Sequence, residues 1–181
     1  MDEKAMQRRR ISSISDTLRD MFVNQLAHEL KNFCLYNSFA VYYSCKGLDK
    51  LGQYFKDRAN EELVHQGWIM DYLTTCDAVF SYPVISANDI APIDDDVTPF
   101  RLSIDREIET TEMIKDIARQ AVAEGDFLTL AFLNGNYNSA RLIPEQIEEE
   151  SLSRTALDIM LTEDNILKKE ERIYDLSTSG K

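Results

Sequence analysis

Glu62 and His65, in the stretch "RANEELVHQGW", stand three positions apart, which is one turn on one face if the stretch is helical. Together they offer an oxygen and a nitrogen donor, a two-point grip on a divalent metal ion. Glu29, Glu107 and Glu149 have similar settings, each inside a run whose apolar residues recur at alternating intervals of three and four. A carboxylate alone in such a seam loses on the order of several kcal/mol of hydration. Several brought together repel one another and hold on to protons. A bound cation reverses both penalties. Oxygen-rich donors with one imidazole suit iron or manganese. Cys34, Cys45 and Cys76 match neither a C-x-x-C pair nor a zinc pattern, and read as reduced structural thiols. Taken singly, an acid in a seam is usually a snorkelling side chain, and a lone histidine a hydrogen-bonded core group. The recurrence of acids at one level on four segments is what points to metal.

Those four segments must be helices. The first starts at Ser15, a suitable N-cap, and runs to about Ser44 with the seam Phe22, Leu26, Glu29, Phe33, Tyr36, Ala40. The second follows the Gly47 turn and carries Leu51, Phe55, Ala59, Glu62, Gln66, Ile69 and Leu73, with His65 beside them. The third begins near Ser103 and aligns Ile104, Glu107, Thr111, Ile114, Ala118 and Ala121; the fourth aligns Leu142, Glu145, Glu149, Leu152, Ala156 and Ile159. A Pro-bearing stretch between the second and third is long enough to be a crossover, so the fold class is all-α, a four-helix bundle. "TEDNILKKEERIYDL" adds a short fifth helix capped by Thr162. The organisation expected is a flexible extension over 1–14, the bundle over 15–161, and a short helix with its tail over 162–181.

The chain has 181 residues, 44% of them hydrophobic, enough for one domain with a substantial core. Its 20 Lys and Arg against 32 Asp and Glu give a net charge of −12, which argues against nucleic acid and in favour of cations as ligands. No apolar run suggests a signal peptide or a membrane span, so a cytoplasmic protein without membrane association is expected. Arg8 to Arg10 read as part of a disordered tail, and Asp94 to Asp96 as a solvated crossover.

The pieces "LAHELKNFCLY", "ANEELVHQGWIMDYL", "REIE" with "IKDIARQAV", and "PEQIEEES", together with the thirty-three residues from Glu29 to Glu62, resemble the ferritins, and more closely their bacterial non-haem branch. The resemblance runs from about Leu18 to Met160. It implies that Glu29, Glu62 and His65 hold a first iron, that Glu62 bridges to a second iron held by Glu107 and Glu149, and that Glu61, Glu145, Glu148 and Glu149 hold a third. Tyr36 would donate an electron or a hydrogen bond to the centre, and Gln146 would support it. Two to three iron ions per subunit follow, without haem: position 63 is Leu63, and the last long helix carries Glu145-x-x-Glu148 where bacterioferritins and rubrerythrins have a second Glu-x-x-His.

The implied function is ferroxidase activity and iron storage: ferrous iron is oxidised by dioxygen or peroxide at a di-iron centre, and the ferric product is kept in a homo-oligomeric shell of twenty-four subunits. A soluble di-iron redox enzyme that stores no mineral is the alternative. "NGNYNSARLIP" is a few residues longer than the family pattern, and its Gly and Pro break the fourth helix in two or start it at Pro144. A surface bulge that leaves the assembly intact is the expected outcome.

Overall fold

A computed structural model describes residues 11–86, 92–136 and 140–178, so Arg8 to Arg10 lie outside the described residues. Every regular element of more than one residue among them is a helix: α1 Asp16–Cys45, α2 Asp49–Thr75, α3 Thr98–Glu124, α4 Phe127–Leu133, α5 Leu142–Thr162 and α6 Ile166–Thr178. None is long and apolar enough to cross a membrane.

The Ser15 hydroxyl accepts from the Leu18 N–H and caps α1, as expected. The residues before it are tied down: Ser13 N–H donates to the Cys76 carbonyl at 2.9 Å, and Ile14 is buried. A three-residue turn at Gly47 returns the chain, so α1 and α2 pack as antiparallel neighbours. Gly52 lets them approach closely, since a Cβ there would meet Ser44 Oγ at 2.3 Å and the Ala40 carbonyl at 3.2 Å. After the crossover, α3 packs on α1 and α5, and α6 on α2 and α5.

Helix starts differ from the sequence reading in two places here. The third helix begins five residues before Ser103, at Thr98, because Asp95 accepts from the Val97 and Thr98 N–H groups at its start. Asp94 and Asp95 are exposed, as expected of a solvated crossover, while the half-buried Asp96 pairs with Lys46 and accepts from the Tyr42 hydroxyl, fixing the crossover to the end of α1. The last helix starts at Ile166, capped by Asn165, whose carbonyl oxygen accepts from Leu167 and Lys168 N–H; Thr162 lies in the final turn of α5.

The fourth helical segment is broken. Gly125, at φ +70° in the left-handed region, ends α3, and Asp126 caps the separate α4 by accepting from Leu128 and Thr129 N–H. Leu142 opens α5, so Pro144 lies inside its first turn, where the N–H it lacks would have had no helical acceptor. The short α4 is anchored by Phe132, stacked on Tyr72 at 4.1 Å.

Two apolar clusters fill the interior. One gathers Leu18, Phe22, Leu26, Ile69, Leu73, Ile114, Phe132 and Leu142; the other gathers Tyr36, Phe39, Tyr43, Leu51, Phe55, Phe100, Ala156 and Met160. Between them the helices present buried polar side chains: Gln25, His28, Glu29 and Asn32 from α1, Arg58, Glu62, His65 and Gln66 from α2, Glu107 and Thr110 from α3, and Gln146, Glu149 and Ser153 from α5. At this level the apolar seam was misjudged by one position. Asn32, Thr110, Gln146 and Ser153 face inward, while Phe33, Thr111, Glu145 and Leu152 are only half-buried. A periodicity counted on apolar residues passes over the polar layer, where the inward position is held by hydrogen-bonding groups.

Candidate metal centre

The polar layer is sealed by apolar clusters on both sides, so each of its charges depends on partners within the protein. Three side chains converge in it as metal donors. Glu29, Glu62 and His65 each bring one ligand atom within 4.8 Å of the others. His65 Nδ1 lies 3.6 Å from Glu62 Oε2 and 3.8 Å from Glu29 Oε2. Glu29 Oε1 is held by Gln25, one turn earlier on α1, while its Oε2 has no hydrogen-bond partner. A buried carboxylate oxygen left over in this way could take a metal ion, and the donor set of two oxygens and a nitrogen fits a divalent ion such as iron.

The imidazole also belongs to a second group of possible donors, with Glu145 and Glu149, whose ligand atoms again lie within 4.8 Å of one another. His65 Nε2 lies 3.5 Å from Glu149 Oε1 and 3.8 Å from Glu145 Oε1, and neither Nε2 nor Glu149 Oε1 has a hydrogen-bond partner. A neutral imidazole has one acceptor nitrogen. A ligand through Nδ1 therefore leaves an N–H on Nε2, directed at carboxylates that orient the ring.

The sequence matches the family model of the ferritin-like domain over residues 19–159. The protein belongs to the ferritin family. It is similar to the bacterial non-heme ferritin of Staphylococcus aureus strain USA300, with 25% identity over 147 residues covering 81% of this chain and 84% of the relative. The same protein from strain MRSA252 is 24% identical over equal coverage. Among solved structures, the fold is that of an open pore ferritin from Archaeoglobus fulgidus, at a TM-score of 0.77 and 22% identity over 90% of this chain and 98% of the other. A humanized archaeal ferritin superposes at a TM-score of 0.79, again at 22% identity, over 90% of this chain and 96% of the other.

Within this ferritin fold the remaining residues singled out by the sequence divide unevenly. Glu107 joins neither donor group, because its oxygens are engaged. Oε1 accepts from the Tyr36 hydroxyl at 2.5 Å and from Arg58 Nη2 at 2.7 Å, and Oε2 accepts from Gln146 Nε2 at 2.8 Å. Glu61 pairs with Arg58 Nη1 at 2.8 Å. Glu61, Glu145, Glu148 and Glu149 line one cleft of about 340 Å³, together with Arg58 and Leu176 of α6. In it Glu148 is exposed and pairs with Arg141 at 3.4 Å.

The protonation pattern follows from crowding. Burial would raise the Glu29 carboxyl, but Glu62 and His65 beside it outweigh that and bring it down to about 2. Glu62 is pushed well above the usual carboxylate range by burial and by Glu29. Burial raises Glu149 to about 7, against the pull of Arg58 and His65. His65, which burial alone would lower, is held well above its usual value by Glu149, Glu145, Glu29 and Glu62. A divalent ion supplies the charge that these protons otherwise bring.

Arg58 and His28 escaped the sequence reading. Arg58 lies on α2 four residues before Glu62 and three before Glu61, a spacing that places a cation among these acids. His28 serves a different network. Arg106 Nη2 lies 2.9 Å from His28 Nδ1 and can only donate, so Nδ1 accepts and Nε2–H donates to Thr110 Oγ1 at 2.7 Å.

Proposed function

We propose that this protein stores iron, oxidising Fe(II) at the buried centre of Glu29, Glu62 and His65 and sequestering the ferric product inside a closed homo-oligomeric shell. The observation that carries the reading is the convergence of three buried donors, with Glu29 Oε2 unpartnered among them. Each Fe(II) loses one electron to dioxygen or peroxide, and Fe(III), the harder ion, is favoured by the carboxylate oxygens. Glu145 and Glu149 hold the far side of the His65 ring. Tyr36, whose hydroxyl bonds Glu107, is near enough to the layer to act as an electron donor. In the acidic cleft Glu145 and Glu148, which Arg58 does not contact, provide ferric ions with oxygen ligands on leaving the centre.

A shell of twenty-four copies supplies the enclosed volume. The relatives with similar chain length are ferritins, and the exposed Phe127 and Leu128 of α4 offer an apolar surface for subunit contact. The net negative charge and the acidic cleft favour cation entry, and the protein works in the cytoplasm.

The experiment is aerobic addition of Fe(II) to the apo-protein, following ferric absorbance and measuring particle mass before and after loading. A shell-sized particle that retains far more iron than its centres can ligate supports storage. A small particle retaining only a few ions per chain sinks it.

A further inference from the structure

The second iron position implied by Glu62, Glu107 and Glu149 does not fit an ion, because a side chain of the protein's own already fills it. Arg58 is 2% exposed, and its guanidinium stands 2.7 Å from Glu107, 2.8 Å from Glu61 and 3.4 Å from Glu149. These are three of the carboxylates that a second and third ion would have to draw on. Glu107 already accepts three hydrogen bonds, from Tyr36, Arg58 and Gln146, and an ion there would compete with them and with the Arg58 charge for the same two oxygens.

We propose that Arg58 is a built-in cation in place of the second metal ion, and that the buried centre holds a single ion on Glu29, Glu62 and His65. The inference rests on reading this centre as the place where ferrous iron binds. Two features of the guanidinium support it independently of any titration. The guanidinium is planar, permanently charged and able to donate in several directions at once, which suits it to bind several carboxylates in a dry interior. It also lies over the Tyr36 ring, 5.9 Å from the centroid.

The geometry also assigns the two sides of the centre different roles. Glu29 Oε2 is open toward His65 Nδ1, whereas Glu107 is closed by Arg58. The two possible donor groups share the one imidazole of His65, which has a single acceptor nitrogen when neutral, so one ion binds, on the α1–α2 side where Glu29 is open, and Arg58 with Glu107 forms a fixed internal ion pair. Arg58 is a positioning residue: it touches the acids and not the bound ion.

The test uses the apo-protein in its native assembly, titrated with Zn²⁺ and with Co²⁺, neither of which air oxidises under these conditions. Calorimetry counts tight sites per chain, and fluorescence of Trp68, the only tryptophan, reports binding because its ring lies 5.5 Å from that of His65. One tight ion per chain is expected in the wild type, two in Arg58→Gln, and one in Arg58→Lys, which keeps the charge. Two tight ions in the wild type, or an unchanged single ion in Arg58→Gln, would overturn the proposal. Should Arg58→Gln fail to fold, anomalous scattering from Zn²⁺-soaked wild-type crystals decides: one peak at Glu29, Glu62 and His65 is expected, and a second peak between Glu107 and Glu149 refutes it. Failure of the storage reading is separable, since a protein with one tight Zn²⁺ site that neither oxidises nor retains iron leaves this assignment standing.

Discussion

Arg58 Nη2 and Glu107 Oε1, on helices α2 and α3 and forty-nine residues apart in the chain, lie 2.7 Å from each other with both side chains almost wholly removed from water. Truncating one member of such a pair strands the other without its charge. Glu107→Ala is therefore expected to destabilise the apo-protein by about 3–5 kcal/mol. Glu107→Gln, which keeps an acceptor for the Tyr36 hydroxyl, should cost less. Urea unfolding at fixed protein concentration measures both, and equal losses would show that the charge of Glu107 contributes nothing.

The first metal position makes a kinetic prediction. Even groups that only orient a ligand are worth about 10- to 100-fold in metal affinity, so the ligands themselves should matter at least as much. Glu62→Ala and His65→Ala should each slow rapid Fe(II) oxidation by at least about tenfold while particle size is kept. Stopped-flow absorbance with light scattering tests this, and wild-type rates in both variants would exclude the site.

Spacing between α1 and α2 sets the distance from Glu29 to Glu62 and His65. A side chain at position 52 would enter space held by Ser44 Oγ and the Ala40 carbonyl. Gly52→Val should cost about 1–3 kcal/mol by overpacking. It should also weaken Co²⁺ binding measured through Trp68. A variant with wild-type melting and wild-type affinity would show that the two helices separate freely.

His28 makes a pH-dependent contribution. Burial first and Arg106 second lower its pKa from 6.5, so the folded chain keeps the ring neutral where the unfolded chain protonates it. A depressed folded pKa stabilises the fold above the unfolded value, and that contribution declines as pH falls below about 6.5. His28→Gln should remove this slope, so the stability difference between wild type and variant narrows from pH 7 to pH 5. Parallel stability curves in metal-free buffer would contradict the neutral assignment.

Local order along the chain was legible without coordinates. The Ser15 cap, the Gly47 turn and the Glu62–His65 spacing all depend on residues within one or two turns of each other, where backbone geometry fixes the outcome. The short α4 was visible only as a disturbance, since Gly and Pro mark where a helix cannot continue but not where the chain goes next.

The sequence by itself determined which helices form, which acids fall near the core, and that a histidine joins them. The tertiary structure alone decided how those acids are shared. Glu29, Glu62 and His65 converge with an oxygen left open, while Glu107 is claimed by Tyr36, Arg58 and Gln146 from three other helices. The reason is that periodicity gives the face on which a side chain lies but not its partner across the bundle. Burial of a charge is decided by that partner, because only a counter-charge within hydrogen-bonding distance offsets the loss of water.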